Sequence, residues 1–244
     1  MICQPDLISQ VYIWLKSKQS CLLCDEASDL PYPVCVPCES ELPWLGDQCD
    51  ICALPVPNAG IRCAACLTRH PSFAQVIALW RYAFPVDSLI TRFKHQAKWP
   101  MGRLLGELFV QHLQHRFDEG LPRPDALLPV PLAPKRLRER GYNQAEMLAR
   151  WIGKPLKVPI AERQLLRIKE TPPQQGLDAR ERKRNLNNAF ALRDPARLQG
   201  KHLALVDDVL TTGATAENLA RLLLRAGAQR VDVYCLARTP RPQD

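Results

Sequence analysis

His202-Leu203-Ala204-Leu205-Val206-Asp207-Asp208-Val209-Leu210-Thr211-Thr212-Gly213-Ala214-Thr215 runs from an apolar strand through two carboxylates into a turn rich in threonine. The strand ends where open α/β sheets place their ligands, at the carboxyl edge. Asp207 and Asp208 offer acceptors to vicinal ribose hydroxyls or help to hold Mg2+. Thr211 to Thr215 open a helix; their amides and hydroxyls form an anion site sized for one phosphate. Gly213 lets the backbone come close to the ligand. Together these groups suit a ribose bearing a 5-phosphate. An apolar strand ending in acids also occurs in P-loop ATPases, but the chain has no Gly-x4-Gly-Lys-Ser/Thr. A capped helix after a strand accounts for Thr211 to Thr215 alone and leaves the acidic pair unexplained.

The flanking pattern is β-α-β. Ala126 to Pro131 and Val231 to Leu236 read as apolar strands, as does Lys201 to Val206 before the acids. Gln144 to Ile152 and Thr215 to Ala226 read as amphipathic helices, with Gly227 at a C-cap position. Upstream, Val76 to Tyr82 is a further strand, and Asp87 to His95 and Met101 to Phe117 are helices. Strands alternating with helices predict an α/β fold with a doubly wound, mainly parallel sheet. Glu162 to Asn188 is polar, basic and marked by Pro172-Pro173, so it reads as a loop or lid.

Residues 21 to 66 are different. Four Cys-x-x-Cys pairs occur, Cys21/Cys24, Cys35/Cys38, Cys49/Cys52 and Cys63/Cys66, and the second half repeats the spacing of the first. Two such knuckles bring four thiolates around one Zn2+ at about 2.3 Å. The repeat predicts two structural zinc sites that staple a segment lacking a core. The spacing leaves open whether neighbouring or interleaved pairs combine. Cys3 and Cys235 fall outside the repeat, and Cys235 reads as a small core residue. The expected organisation is an N-terminal helix over residues 1–18, a double zinc ribbon over 19–70, and the α/β domain over 71–244.

The chain has 244 residues, 46% of them hydrophobic, and carries a net charge of +8. That composition is globular and favours anionic partners. No apolar stretch approaches the about 20 residues of a membrane helix. The N-terminus lacks a secretory pattern, so the expected compartment is the cytoplasm, where ten cysteines point to metal rather than disulfides.

Val206 to Thr215 resembles the phosphoribosyl pyrophosphate (PRPP) motif of type I phosphoribosyltransferases. Three further stretches make the chain similar to the ComF family of competence proteins and their GntX relatives. These are Pro129-Val130-Pro131-Leu132; Arg140-Gly141-Tyr142-Asn143-Gln144; and Thr171-Pro172-Pro173-Gln174 on through Leu177, Arg182, Asn185, Leu186, Ala189 and Phe190. The family's double zinc ribbon matches the cysteine block. The resemblance implies that Asp207 and Asp208 face the ribose, with Thr211, Thr212, Gly213, Ala214 and Thr215 around the 5-phosphate and Mg2+ accompanying PRPP. Lys135, Arg136, Arg138, Arg140 and Asn143 would lie near pyrophosphate or DNA. Gln174, Arg182 and Asn185 would belong to a flap. Lys94 also fits a family pattern. The family's role further implies handling of single-stranded DNA in natural transformation, with a helicase or recombination loader as partner.

Two functional classes follow. A phosphoribosyltransferase would displace pyrophosphate from C1 of the ribose, relying on positioning and charge stabilisation. A DNA-handling protein would use the site for a phosphate–ribose unit and add aromatic platforms for bases. Trp99, Tyr142 and Trp151 stand near basic residues in sequence, although Trp151 also suits a core.

Overall fold

The computed structural model describes residues 19–58, 60–168 and 189–240. The expected N-terminal helix, Cys3 and the flap residues Gln174, Arg182 and Asn185 lie outside them. The chain divides into two compact units, Met1–Leu42 and Pro43–Asp244.

In the smaller unit, β1 (Gln19–Ser20) pairs antiparallel with β2 (Ala27–Ser28), and α1 (Val36–Ser40) follows. Ser28 Oγ donates to the Val34 carbonyl at 2.6 Å, closing the turn that carries Cys35 towards Cys21. Among its described residues the apolar core is limited to a few side chains such as Tyr32 and Val34.

The larger unit begins with the second cysteine pairs and α2 (Ala64–Thr68). It continues with β3 (Gln75–Arg81), α3 (Val86–Gln96), α4 (Trp99–Asp118), β4 (Ala126–Pro129), α5 (Pro134–Arg140) and α6 (Gln144–Leu156). A two-stranded antiparallel hairpin, β5 (Leu165–Arg167) and β6 (Phe190–Leu192), precedes β7 (His202–Leu210), α7 (Ala214–Arg225) and β8 (Arg230–Arg238). Four strands form a parallel sheet in the order β3-β8-β7-β4. The segment expected as a lid thus supplies β5 where it is described.

Alternation along the strands fills two layers. Leu203 and Leu205 of β7, with Val231 and Val233 of β8, pack in one cluster with Leu219, Ala220 and Leu223 of α7. Cys49, Cys52, Cys63, Cys66 and Phe73 belong to that same cluster. Helices α4 and α6 cover the other face, where the Phe109 ring meets Tyr234 edge-on at 6.3 Å. Burying each such Leu or Phe stabilises the fold by roughly 1.5–3 kcal/mol.

Strand β7 is longer than its apolar run. Pairing with β8 continues through Asp207↔Cys235 and Leu210↔Arg238, so the acidic pair is strand rather than loop. The turn proper is Thr211 to Gly213. Gly213 adopts φ +75°, and Gly227 at φ +93° follows α7 as its sequence position predicts.

Candidate functional site

The carboxyl ends of β4 and β7 open on a cavity of about 800 Å3. Asp207, Asp208 and Thr215 form one wall, Lys94 of α3 another, and Arg136 and Arg140 of α5 a third. Lys94 Nζ lies 2.7 Å from Asp208 Oδ2, and the Asp208 side chain is 4% exposed. Burial pulls the Lys94 ammonium down to about 8, against the attraction of Asp207 and with help from Arg140 and Arg136. Burial pushes Asp207 up to about 6, and Lys94 opposes the shift. Both groups therefore sit near neutrality at the mouth of a polar cavity, where titratable groups of functional sites concentrate.

Local structure fixes these positions. The Asp207 carboxylate accepts from the Asp208 amide at 2.9 Å, and Asp208 Oδ1 accepts from the Val209 amide at 2.8 Å. Pro134 starts α5, and Gly141 ends it at φ +82°, turning Arg140 and Tyr142 onto the cavity. Asn143 is committed to the scaffold: its Oδ1 caps α6 through the Ala145 amide, and its Nδ2 donates to the Val130 carbonyl at 3.0 Å. Gln144 accepts from the Arg140 guanidinium and is buried. Lys135 and Arg138 take exposed positions on the same helix rather than lining the cavity.

Thr212, Gly213 and Ala214 border a second, smaller cavity of about 400 Å3, shared with Phe73, Cys66 and Arg221. The Thr–Gly turn is thus a partition, with Thr215 facing the first space and Thr212 the second. Arg167 and Arg238, which no motif singled out, border the first and second cavities respectively.

This is a paired carboxylate set beside convergent cations at a topological edge of a parallel sheet. Residues 140–244 match the family model described as the phosphoribosyl transferase domain. The chain is 35% identical over 221 residues to DNA utilization protein YhgH of Salmonella typhi, covering 90% of this chain and 96% of that one. It is 34% identical over 209 residues to competence protein F of Haemophilus influenzae, 85% of each chain. The chain belongs to the ComF family. Competence protein ComFC of Bacillus subtilis is similar at 26% identity over 243 residues, 91% of this chain and 96% of that one. The parallel sheet is the family's type I phosphoribosyltransferase fold.

The ComF double zinc ribbon has its counterpart in two groups, Cys21/Cys24/Cys35/Cys38 and Cys49/Cys52/Cys63/Cys66. Neighbouring pairs combine, not interleaved ones, and the sulfurs of each group lie within 4.8 Å of one another. The donor chemistry fits a structural metal ion. At Cys21, burial raises the thiol pKa, but the amides of Cys35, Leu23 and Cys24 outweigh it and bring it down to about 6. Cys49 falls to about 7 as the amides of Cys52, Cys63 and Ile51 overcome burial. Burial and neighbouring thiols drive Cys38 and Cys66 upward, so the four thiols of a group would ionise together only with a cation among them. Among the described residues no helix is long and apolar enough to cross a membrane.

Proposed function

We propose that this ComF-family protein binds PRPP, or a related phosphoribose ligand, with Mg2+ in the cavity at the ends of β4 and β7. It does so as part of handling single-stranded DNA during DNA uptake, in the cytoplasm. The observation that carries the reading is the acidic pair Asp207 and Asp208 opening on a cavity shared with Lys94, Arg136, Arg140 and Thr215. Carboxylates suit the ribose diol, Thr215 in the first turn of α7 suits the 5-phosphate, and the cations of α5 suit a pyrophosphate or DNA phosphate. Asp207 and Asp208 would also hold Mg2+, which would supply charge neutralisation at the diphosphate.

Calorimetric titration with ribose 5-phosphate and with PRPP, each with and without Mg2+, tests the site. Saturable binding that disappears in Asp207→Asn/Asp208→Asn is expected. Unchanged binding in that double variant overturns the role given to the acids. Binding of single-stranded DNA that weakens steeply with salt is expected in parallel.

A second reading, an active phosphoribosyltransferase, is favoured by the placement of Arg136 and Arg140 across the same cavity from the acids. Charge developing on departing pyrophosphate needs such donors. Release of pyrophosphate from PRPP that depends on an added nucleobase or amine supports it, and its absence across such acceptors favours binding alone.

A further inference from the structure

Trp99 stands at the first position of α4 with 53% of its surface exposed. Exposing so large a ring does nothing for folding, yet its position is fixed. The ring meets Tyr142 edge-on at 6.3 Å, and Tyr142 in turn packs on Phe93 at 5.9 Å and donates its hydroxyl to the Phe93 carbonyl. Phe93 is fully buried and rests on Trp151 at 5.6 Å. The first turn of α4 is pressed onto the same ring at Gly102, where a Cβ would lie 2.7 Å from Phe93. An exposed tryptophan is therefore mounted on a rigid aromatic stack.

The stack leads to the cavity. Tyr142 lines it together with His95, Gln96 and Ala97, the exposed residues that precede Trp99. Lys98 and Arg92 are exposed in the same segment. A flat apolar face beside a cavity lined by Lys94, Arg136 and Arg140 has the composition of a site for a nucleobase whose sugar–phosphate lies next to it.

We propose that Trp99 is a base-stacking platform, taking the base of a nucleotide unit adjoining the phosphoribose cavity in single-stranded DNA. This rests on the cavity reading above and adds the residue that would contact the base. A stacked base is tolerant of sequence, because every base presents a π-face. Trp99 would thus contribute affinity without base preference.

The test uses the full-length, metal-loaded protein and a labelled oligo(dT) strand followed by fluorescence anisotropy at low salt. Wild type, Trp99→Ala and Trp99→Phe are compared, with ribose 5-phosphate titrated calorimetrically into each. Trp99→Ala is expected to weaken oligo(dT) roughly tenfold, Trp99→Phe to retain most of the affinity, and ribose 5-phosphate to bind all three alike. An abasic strand of equal length is expected to bind wild type as weakly as oligo(dT) binds Trp99→Ala. Free dTMP that competes at the concentration of strand nucleotides, and loses that ability in Trp99→Ala, supports stacking with a mononucleotide as the source of the base. Equal affinity of Trp99→Ala and wild type for oligo(dT), or of the abasic and oligo(dT) strands for wild type, overturns the proposal. Failure of ribose 5-phosphate to bind wild type overturns the cavity reading instead, and the two outcomes are read from separate titrations.

Discussion

The Arg238 guanidinium donates from Nε to the Cys52 carbonyl at 2.9 Å, joining the second cysteine group to the end of the parallel sheet. Its Nη1 donates to the carbonyls of Leu210 at 2.9 Å and Thr239 at 2.8 Å, and also to that of Thr211. Arg238 is 5% exposed and sits opposite Leu210 in the sheet register. One planar side chain thereby holds both a cysteine knuckle and the turn that follows the acidic pair.

Arg238→Met is expected to destabilise the larger unit by about 3 kcal/mol, because several buried carbonyls lose their donor together. The Thr211–Gly213 turn loses its anchor as well, so affinity for ribose 5-phosphate falls. Arg238→Lys recovers little of either, since an ammonium cannot span the acceptors that a guanidinium fork reaches. Denaturant titration beside ligand titration checks both effects; a Lys variant equal to wild type would falsify the fork argument.

Phosphoribose affinity is expected to be bell-shaped in pH. Asp207, held up at about 6, must be ionised to accept from ribose hydroxyls, so affinity rises as pH climbs through that value. Lys94, drawn down to about 8, loses its cation above it, and an anionic ligand then binds more weakly. Asp207→Asn should remove the acid limb beyond what the ligand phosphate's own ionisation near about 6 contributes. A titration with ribose 5-phosphate between pH 5 and 9, at roughly constant ionic strength, resolves the limbs.

Asp207 also carries a cost. Its folded pKa is raised, so its charge opposes folding at neutral pH and ceases to do so when protonated. Asp207→Asn is expected to stabilise the protein by about 1 kcal/mol at pH 7, discounted for the part of Asp207 that opens on the cavity. The gain should vanish near pH 4. Equal stability of the two proteins at pH 7 counts against desolvation as the cause of the shift.

Much of this was legible in the sequence, and the exceptions have physical causes. Apolar runs such as Leu203 to Val206 announce parallel strands because both faces are covered. The same rule stops at Asp207, although backbone pairing with β8 continues to Leu210 regardless of side-chain polarity. Helix α5 leaves no mark in the apolar pattern, because Lys135, Arg136, Arg138 and Arg140 give it no apolar stripe and no buried residue. The acidic pair and the turn were marked by adjacency along the chain. Arg167 and Arg238 are single cations brought in by tertiary structure, and no spacing records that. The expected boundary between residues 70 and 71 likewise marks a difference in local chemistry, while Cys49 to Cys66 share a core with α7 across it.

Asp232 lies at the opposite end of the sheet from the cavity and is fully buried. It accepts from His202 Nε2 at 2.9 Å, Arg230 Nε at 3.0 Å and Gln75 Nε2 at 3.1 Å, tying together the starts of β7, β8 and β3. Burial pushes its pKa up, but these three partners outweigh burial and hold it below the usual carboxylate range. With the folded pKa below the unfolded one, the network stabilises fully above the unfolded value and is lost as pH falls through the folded one. Asp232→Ala is expected to cost about 3 kcal/mol at pH 7, because Arg230 and His202 lose a buried partner. That penalty should shrink as the medium is acidified below about pH 4. Affinity for ribose 5-phosphate should stay within roughly twofold of wild type, as additivity at separated sites requires. A penalty that persists undiminished in acid would mean that packing, not the carboxylate charge, holds the three strand ends together.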